Sequence, residues 1–216
     1  MFATLLALAL PAAAATHEIS AEVGWINSSD PAWDFFSEAA LHGSYGLRLG
    51  YAVHPNVAII GGWQHAVHGV GTSGPGVGAA SYSEGEDDYY YDNEDAFWAA
   101  LYTDQVTVGA KADFQVLTWL HPYATVQAVG MRGLLRMDDD SQDDENLTQI
   151  ELAGLTGGVL GAVGIDLPVP LRVGSTVAIA PYAEVGYGWL APMRLDQVGS
   201  VQFAGFTGRA GVGVRF

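Results

Sequence analysis

Eight times along the chain, apolar residues recur at every second position over about ten residues. A period of two places residues i, i+2 and i+4 on one face of a β-strand. The segments run over 18–26, 44–53, 57–67, 105–114, 123–135, 150–163, 177–190 and 201–216. The second shows the pattern well: Tyr45, Leu47, Leu49, Tyr51 and Val53 share one face, and Ser44, Gly46, Arg48, Gly50 and Ala52 share the other. In the fifth the alternation slips between Gln127 and Arg132, which predicts a bulge. The sixth is apolar on both parities, and the seventh contains Pro181, which cannot donate to a ladder. No stretch is long and apolar enough for a membrane-spanning helix, which needs ~20 residues. The best after the N-terminus, 152–165, carries five glycines in LAGLTGGVLGAVGI. If the chain crosses a membrane it does so with strands, because lipid tolerates only helices and closed barrels.

The connections alternate in length. His54-Pro55-Asn56, 118–122 and 166–175 are short, whereas 27–43, 68–104, 137–149 and 191–200 are longer and more polar. Short turns at one end and long loops at the other predict an all-β, up-and-down antiparallel transmembrane barrel of about eight strands, with both termini at the short-turn end. Twenty-eight glycines and interspersed aromatics suit curved β-structure better than helix. The absence of cysteine excludes disulfides and thiol chemistry. A net charge of -16 with eight scattered basic residues excludes nucleic acid as a partner. Residues 1–15 (an apolar run, then Pro11 and four alanines) read as a secretory signal peptide, though without Lys or Arg before the run. The barrel is expected over 16–216.

One face of each strand is aliphatic and aromatic. The other mixes small polar residues with Glu18, Glu22, Arg48, Lys111, Asp113, Glu184, Arg209 and Arg215, four acids and four bases. A membrane barrel turns these charges into a closed lumen, where they must pair because isolated buried charges are costly. A soluble barrel would do the reverse. Aromatics near strand ends (Trp25, Tyr45, Trp63, Trp119, Tyr123, Tyr187, Trp189) favour the membrane reading as interfacial girdles.

The ending RAGVGVRF, with Val212, Val214 and terminal Phe216, resembles the last strand of bacterial outer-membrane barrels, and PYAEVGYGW (181–189) resembles a strand of small barrels of the OmpA/OmpW-like kind. The resemblance implies residence in the outer membrane after export to the periplasm, contact with its lipid and lipopolysaccharide, and recognition of Val212, Val214 and Phe216 by the barrel-assembly machinery. It carries no shared catalytic residue, and no periplasmic domain is expected after the last strand.

The acidic residues concentrate in two runs. Residues 84–95 hold seven and 138–145 hold six, together 13 of the chain's 24. They read as solvated, self-repelling loops. The alternative is a hard-oxygen site for a divalent cation, with Asp87, Asp88, Asp92, Asp138, Asp140 and Asp143 as ligands. No other cofactor is expected. Tyr89, Tyr90 and Tyr91 suit either a contact surface or packing over the rim. Gly69 to Gly74 matches G-x-G-x-x-G without the βαβ context that would make it a nucleotide loop. His65 and His68, three apart, fall on opposite faces of a strand. His42-Gly43-Ser44 resembles the His-x-Ser pairing of outer-membrane lipid A deacylases, but no third group is placed to orient the histidine. The expected function is therefore non-enzymatic: a structural or surface-interaction barrel presenting acidic extracellular loops to an unknown partner. A channel or transporter for small, possibly hydrophobic solutes is the alternative, and a lipid-modifying enzyme the third reading.

Overall fold

In the computed structural model, residues 17–27, 41–71, 98–139, 148–172, 176–195 and 199–216 are described. They form eleven strands: β1 (His17–Asn27), β2 (Leu41–His54), β3 (Val57–Gly71), β4 (Trp98–Asp113), β5 (His121–Asp139), β6 (Thr148–Asp166), β7 (Val169–Pro170), β8 (Ala178–Leu190), β9 (Met193–Leu195), β10 (Gly199–Val201) and β11 (Gly205–Arg215). Eight of them, β1 to β6, β8 and β11, pair antiparallel with their neighbours, and β11 returns to β1, so the sheet closes on itself. The closing seam runs from Glu18 opposite Arg215 to Asn27 opposite Phe206. The terminal residues finish it, with His17 and Phe216 exchanging backbone hydrogen bonds of 3.0 and 3.1 Å. Both described ends therefore lie at the short-turn end.

The two faces separate as a membrane barrel requires. Outside, Leu47 is 54% exposed, Val108 58% and Val163 60%; inside, Arg48 and Lys111 are each 3% exposed. A continuous apolar exterior of this kind is stable against hydrocarbon and not against water. At the short-turn end it is edged by His17, Tyr51 and Phe216, whose rings meet, and at the other end by Tyr45, Trp63 and the Tyr187–Phe206 pair. Trp25 lies flat across Gly208 of the neighbouring strand, where a Cβ would fall 2.0 Å from its ring. The belt ends where outward positions turn polar: His65 meets Asp104 at 3.0 Å, and Asp104 stands opposite Arg132.

Several sequence expectations are corrected. β5 contains no bulge; its register against β4 and β6 is unbroken, and odd positions from Tyr123 to Leu135 point inward. What changes near Gln127 is the character of the inner face, from Tyr123, Thr125 and Gln127 to Val129, Met131 and Leu135. The one register shift in the β2–β3 ladder lies between Ala52 and His54, beside the tight turn. β6 resolves its ambiguity by turning its even positions, including Leu160, Ala162 and Asp166, into the barrel. Tyr123 is no girdle residue: it is 2% exposed and faces the lumen. Gly69 to Gly71 belong to β3 and pair with β4 rather than to a loop. Pro181 has no N–H to donate, yet it keeps the register, standing opposite Val212, and its carbonyl accepts from Leu167 N at 2.9 Å.

The segment after β8 is the largest departure. The sequence reads 191–200 as a polar connection, yet Met193, Leu195 and Val201 are nearly fully buried, in the short β9–β10 pair. β8 ends at Leu190 opposite Gly158, while β6 continues beside β5 as far as Thr148. The β3–β6 wall therefore stands above the other half of the rim. Its inner face, Leu101, Met131, Leu135 and Leu152, packs on Met193, Leu195, Val201 and Phe203. Two glycines make the room: a Cβ at Gly133 would meet Met193 Sδ at 2.5 Å, and one at Gly154 would meet Met193 Cγ at 2.6 Å.

Candidate functional site: the barrel lumen

All eight charged residues expected in the lumen face into it, and they form two groups. The first lies in the middle of the barrel. Arg48 on β2 donates from Nη1 to Glu184 Oε2 on β8 at 2.9 Å, and its Nε stands 3.9 Å from Glu22 on β1. Arg209 on β11 approaches the other Glu184 oxygen at 3.6 Å. Three neutral groups complete this layer. Tyr123 Oη donates to Glu184 at 2.9 Å, Tyr182 Oη donates to Glu22 at 2.5 Å, and Gln64 Nε2 donates to Glu22 at 2.7 Å. The Arg48 guanidinium also covers the Tyr182 ring, 3.8 Å from its centroid.

The second group closes the short-turn end. Lys111 on β4 pairs with Asp166, with Asp113 at 3.4 Å and with Glu18 at 3.9 Å. Arg215 on β11 pairs with Glu18 at 2.8 Å and with Asp166. The alternation that makes strands causes both layers, because each charge occupies an inward parity and the barrel brings strands β1, β2, β4, β6, β8 and β11 face to face, with Lys111 and Asp113 two apart on β4. Charges across a narrow, water-poor lumen stabilise the fold only when each finds a counter-charge and its remaining hydrogen bonds.

Asp166 is the residue that sequence reasoning missed. It is fully buried between two cations, yet it stands at a strand end before Pro168 and Pro170 and so reads as the start of a turn. Its even parity within β6 would have placed it inside. Tyr123 was missed as a lumen donor for a different reason, since an aromatic near a strand end suggests a girdle; its shared parity with Gln127 was the available signal.

Above the middle layer the lumen becomes apolar, with Val129, Leu160 and Leu190 on its wall and Phe203 over it. Between Arg209 below and Phe203 above lies a cavity of about 60 Å³. His42, Ser44, Gln64, His68 and Thr103 supply its polar side. His65 takes the opposite face, as its spacing from His68 predicts, and pairs with Asp104 on the exterior. Val212, Val214 and Phe216 sit on the lipid-facing side of the last strand. Asp87, Asp88, Asp92, Asp140 and Asp143, the side chain of Asp138, Tyr89 to Tyr91 and the leader 1–15 lie outside the described residues. Among the described residues no group of three or more His, Asp or Glu side chains is placed to hold a metal ion.

A closed eight-stranded sheet with an apolar exterior and an ion-paired interior defines a small transmembrane β-barrel of the outer-membrane type. A solved structure shares this fold. The chain shares 13% identity with neisserial surface protein A (NspA) at a TM-score of 0.50, over 92% of this chain and 95% of that one. The attachment invasion locus protein Ail of Yersinia pestis matches at 12% identity and a TM-score of 0.45, over 93% of this chain and 97% of that one. No protein-family model matches the chain, and no curated protein matches it. At 13% identity the NspA match bears on the fold alone.

Proposed function

We propose that this protein is a sealed, non-enzymatic barrel of the bacterial outer membrane that holds acidic loops at the cell surface. The observation that carries this reading is the cross-braced lumen: Glu184 joined to Arg48, Arg209 and Tyr123 in one layer, and Asp166 joined to Lys111 and Arg215 in the next. An eight-stranded barrel leaves an interior that side chains can fill, and salt-linked side chains from opposite walls are a poor path for ions. The apolar packing of Phe203, Met193 and Leu195 at the mouth supports the same reading.

The acidic run 84–95 falls in the β3–β4 connection, and 138–145 starts in the last two residues of β5 and continues into the β5–β6 connection; both connections leave the barrel opposite the termini. In the orientation usual for such barrels that end faces outward, where carboxylates could meet lipopolysaccharide phosphates through divalent cations. Val212, Val214 and Phe216 suit recognition by the assembly machinery, on a strand that also closes the seam. The orientation of His42 and Ser44 argues against lipid chemistry: both line the interior cavity, whereas an outer-leaflet substrate approaches from the lipid side.

Planar-bilayer recording of refolded protein, whose heat-dependent gel shift certifies a closed barrel, tests the sealed reading. The expected trace is silent, and the double variant Arg48→Ala/Arg209→Ala is expected to open small, discrete steps. Reproducible openings in the unaltered protein would favour the channel alternative.

A further inference from the structure

His42 on β2 and His68 on β3 meet at the barrel mouth. Each lies three residues beyond the Tyr45–His65 pair, past the level where the lipid-facing belt ends and so outside the membrane-spanning part. Both are turned inward, at 4% and 5% exposure. Their ring centroids lie 4.9 Å apart with the planes at 81°, an edge-to-face contact. Both line the cavity beneath Phe203. The charged or titratable residues on that cavity are His42 from β2, His65 and His68 from β3, and Arg209 from β11. β1 and β4 bring no charge to it, and β5, β6 and β8 bring only apolar side chains and glycine. Among the described residues of the lining, then, no carboxylate faces either imidazole. Glu22 and Glu184 are engaged in the middle layer, with Gln64, Tyr182, Arg48 and Arg209.

We propose that the His42–His68 pair is an acid-sensitive latch, whose protonation at mildly acidic pH releases the 193–203 segment from the mouth and admits water to the cavity. A proton on either ring adds charge to an enclosure that already holds the Arg209 guanidinium. A second proton sets two imidazolium rings in contact. Burial holds both imidazoles below their ordinary range, and it pushes His68 down to about 3, with His42 and His65 adding to the effect. Lifting the cover brings water back to both rings. The open form then takes up protons near the ordinary imidazole value of about 6.5, whereas the closed form resists them. Because the closed-state value is the lower one, the preference for the closed form is full above about pH 6.5 and is lost as pH falls toward the closed-state value. At pH 5 the open form gains about thirtyfold for each imidazole. The cover is free to respond. It is held by apolar contacts of Met193, Leu195 and Phe203 and by the Gln202 bond to Leu190 O, and its β9–β10 pair is separate from the barrel sheet. The acidic runs at the same end give a negative surface that concentrates protons at the mouth. The ion-paired layers below stay closed, so the latch goes beyond the sealed reading without altering it.

The test places a spin label at exposed Ser200, through Ser200→Cys in the cysteine-free chain, and follows its electron paramagnetic resonance line shape in lipid vesicles. The expected result is an ordered label at pH 7.5 and a mobile fraction at pH 5 that reverses on neutralisation. The double variant His42→Gln/His68→Gln keeps polar side chains that do not titrate, and should stay ordered at pH 5. The single variants should each lose about thirtyfold of the shift, and they decide the matter if the double variant does not fold. His17→Gln and His54→Gln, which remove exposed imidazoles at the short-turn end, should leave the response intact. A line shape unchanged between pH 7.5 and pH 5, an undiminished response in both single variants, or its loss with His17→Gln would each overturn the latch. Openings at neutral pH in the bilayer recording bear on the sealed reading alone.

Discussion

Glu184→Ala is expected to destabilise the barrel by about 3–5 kcal/mol, the usual consequence of removing one partner from a buried ion pair. Glu184 is 4% exposed and serves three groups at once. Without it Arg48 keeps only the more distant Glu22, at 3.9 Å, Arg209 loses its carboxylate, and the Tyr123 hydroxyl loses its acceptor. The loss is that of stranding two guanidinium groups in a narrow lumen, rather than the net worth of the pairs. Glu184→Gln keeps the shape and an acceptor oxygen and should cost less than the alanine change. Urea unfolding in lipid vesicles, followed by tryptophan fluorescence and by heat-dependent gel mobility, checks both. A loss below about 1 kcal/mol for the alanine variant, within the range of an exposed pair, would mean that water reaches the middle layer and satisfies the arginines.

Phe203→Ala should cost about 3–5 kcal/mol in the same assay, as large-to-small changes of a buried phenylalanine do. Phe203 is 1% exposed and lies among Leu160, Leu190, Met193, Leu195 and Val201, with Gln202 donating to Leu190 O at 3.0 Å to hold the segment in place. The residue belongs to no barrel strand, so its stability effect separates two pictures of the mouth. If the 193–203 segment is packed structure, the cost is large and the apolar cavity widens. If the segment were a surface loop, truncation would fall within about 0.5 kcal/mol of neutral. Leu134→Ala, on the outward side of β5 at the same height, is the useful comparison and should cost less.

The sequence displays the barrel itself because a period of two is a direct consequence of strand geometry, and eight such segments with alternating connection lengths leave few architectures. It displays most of the lumen for the same reason: Arg48, Lys111 and Glu184 interrupt apolar alternation at one parity. What it hides depends on contacts between distant segments. The change of the β5 inner face from Gln127 to Val129 looks like a slipped register, because a uniformly polar lumen was the expectation; the apolar wall makes sense only with Met193 and Phe203 packed against it. Met193-Arg194-Leu195 is too short to carry a period. His42 and His68, 26 residues apart, are each unremarkable until the fold brings their ring centroids to 4.9 Å.

The central claim is that alternate residues face lipid and lumen, and the native absence of cysteine allows a clean test. Single cysteines would be placed from Thr103 to Asp113 along β4, labelled with a fluorophore after refolding into vesicles, and quenched by brominated lipid. The account predicts strong quenching at 106, 108, 110 and 112, and weak quenching at 105, 107, 109 and 111. The opposite phase, or quenching with no period of two, would contradict it.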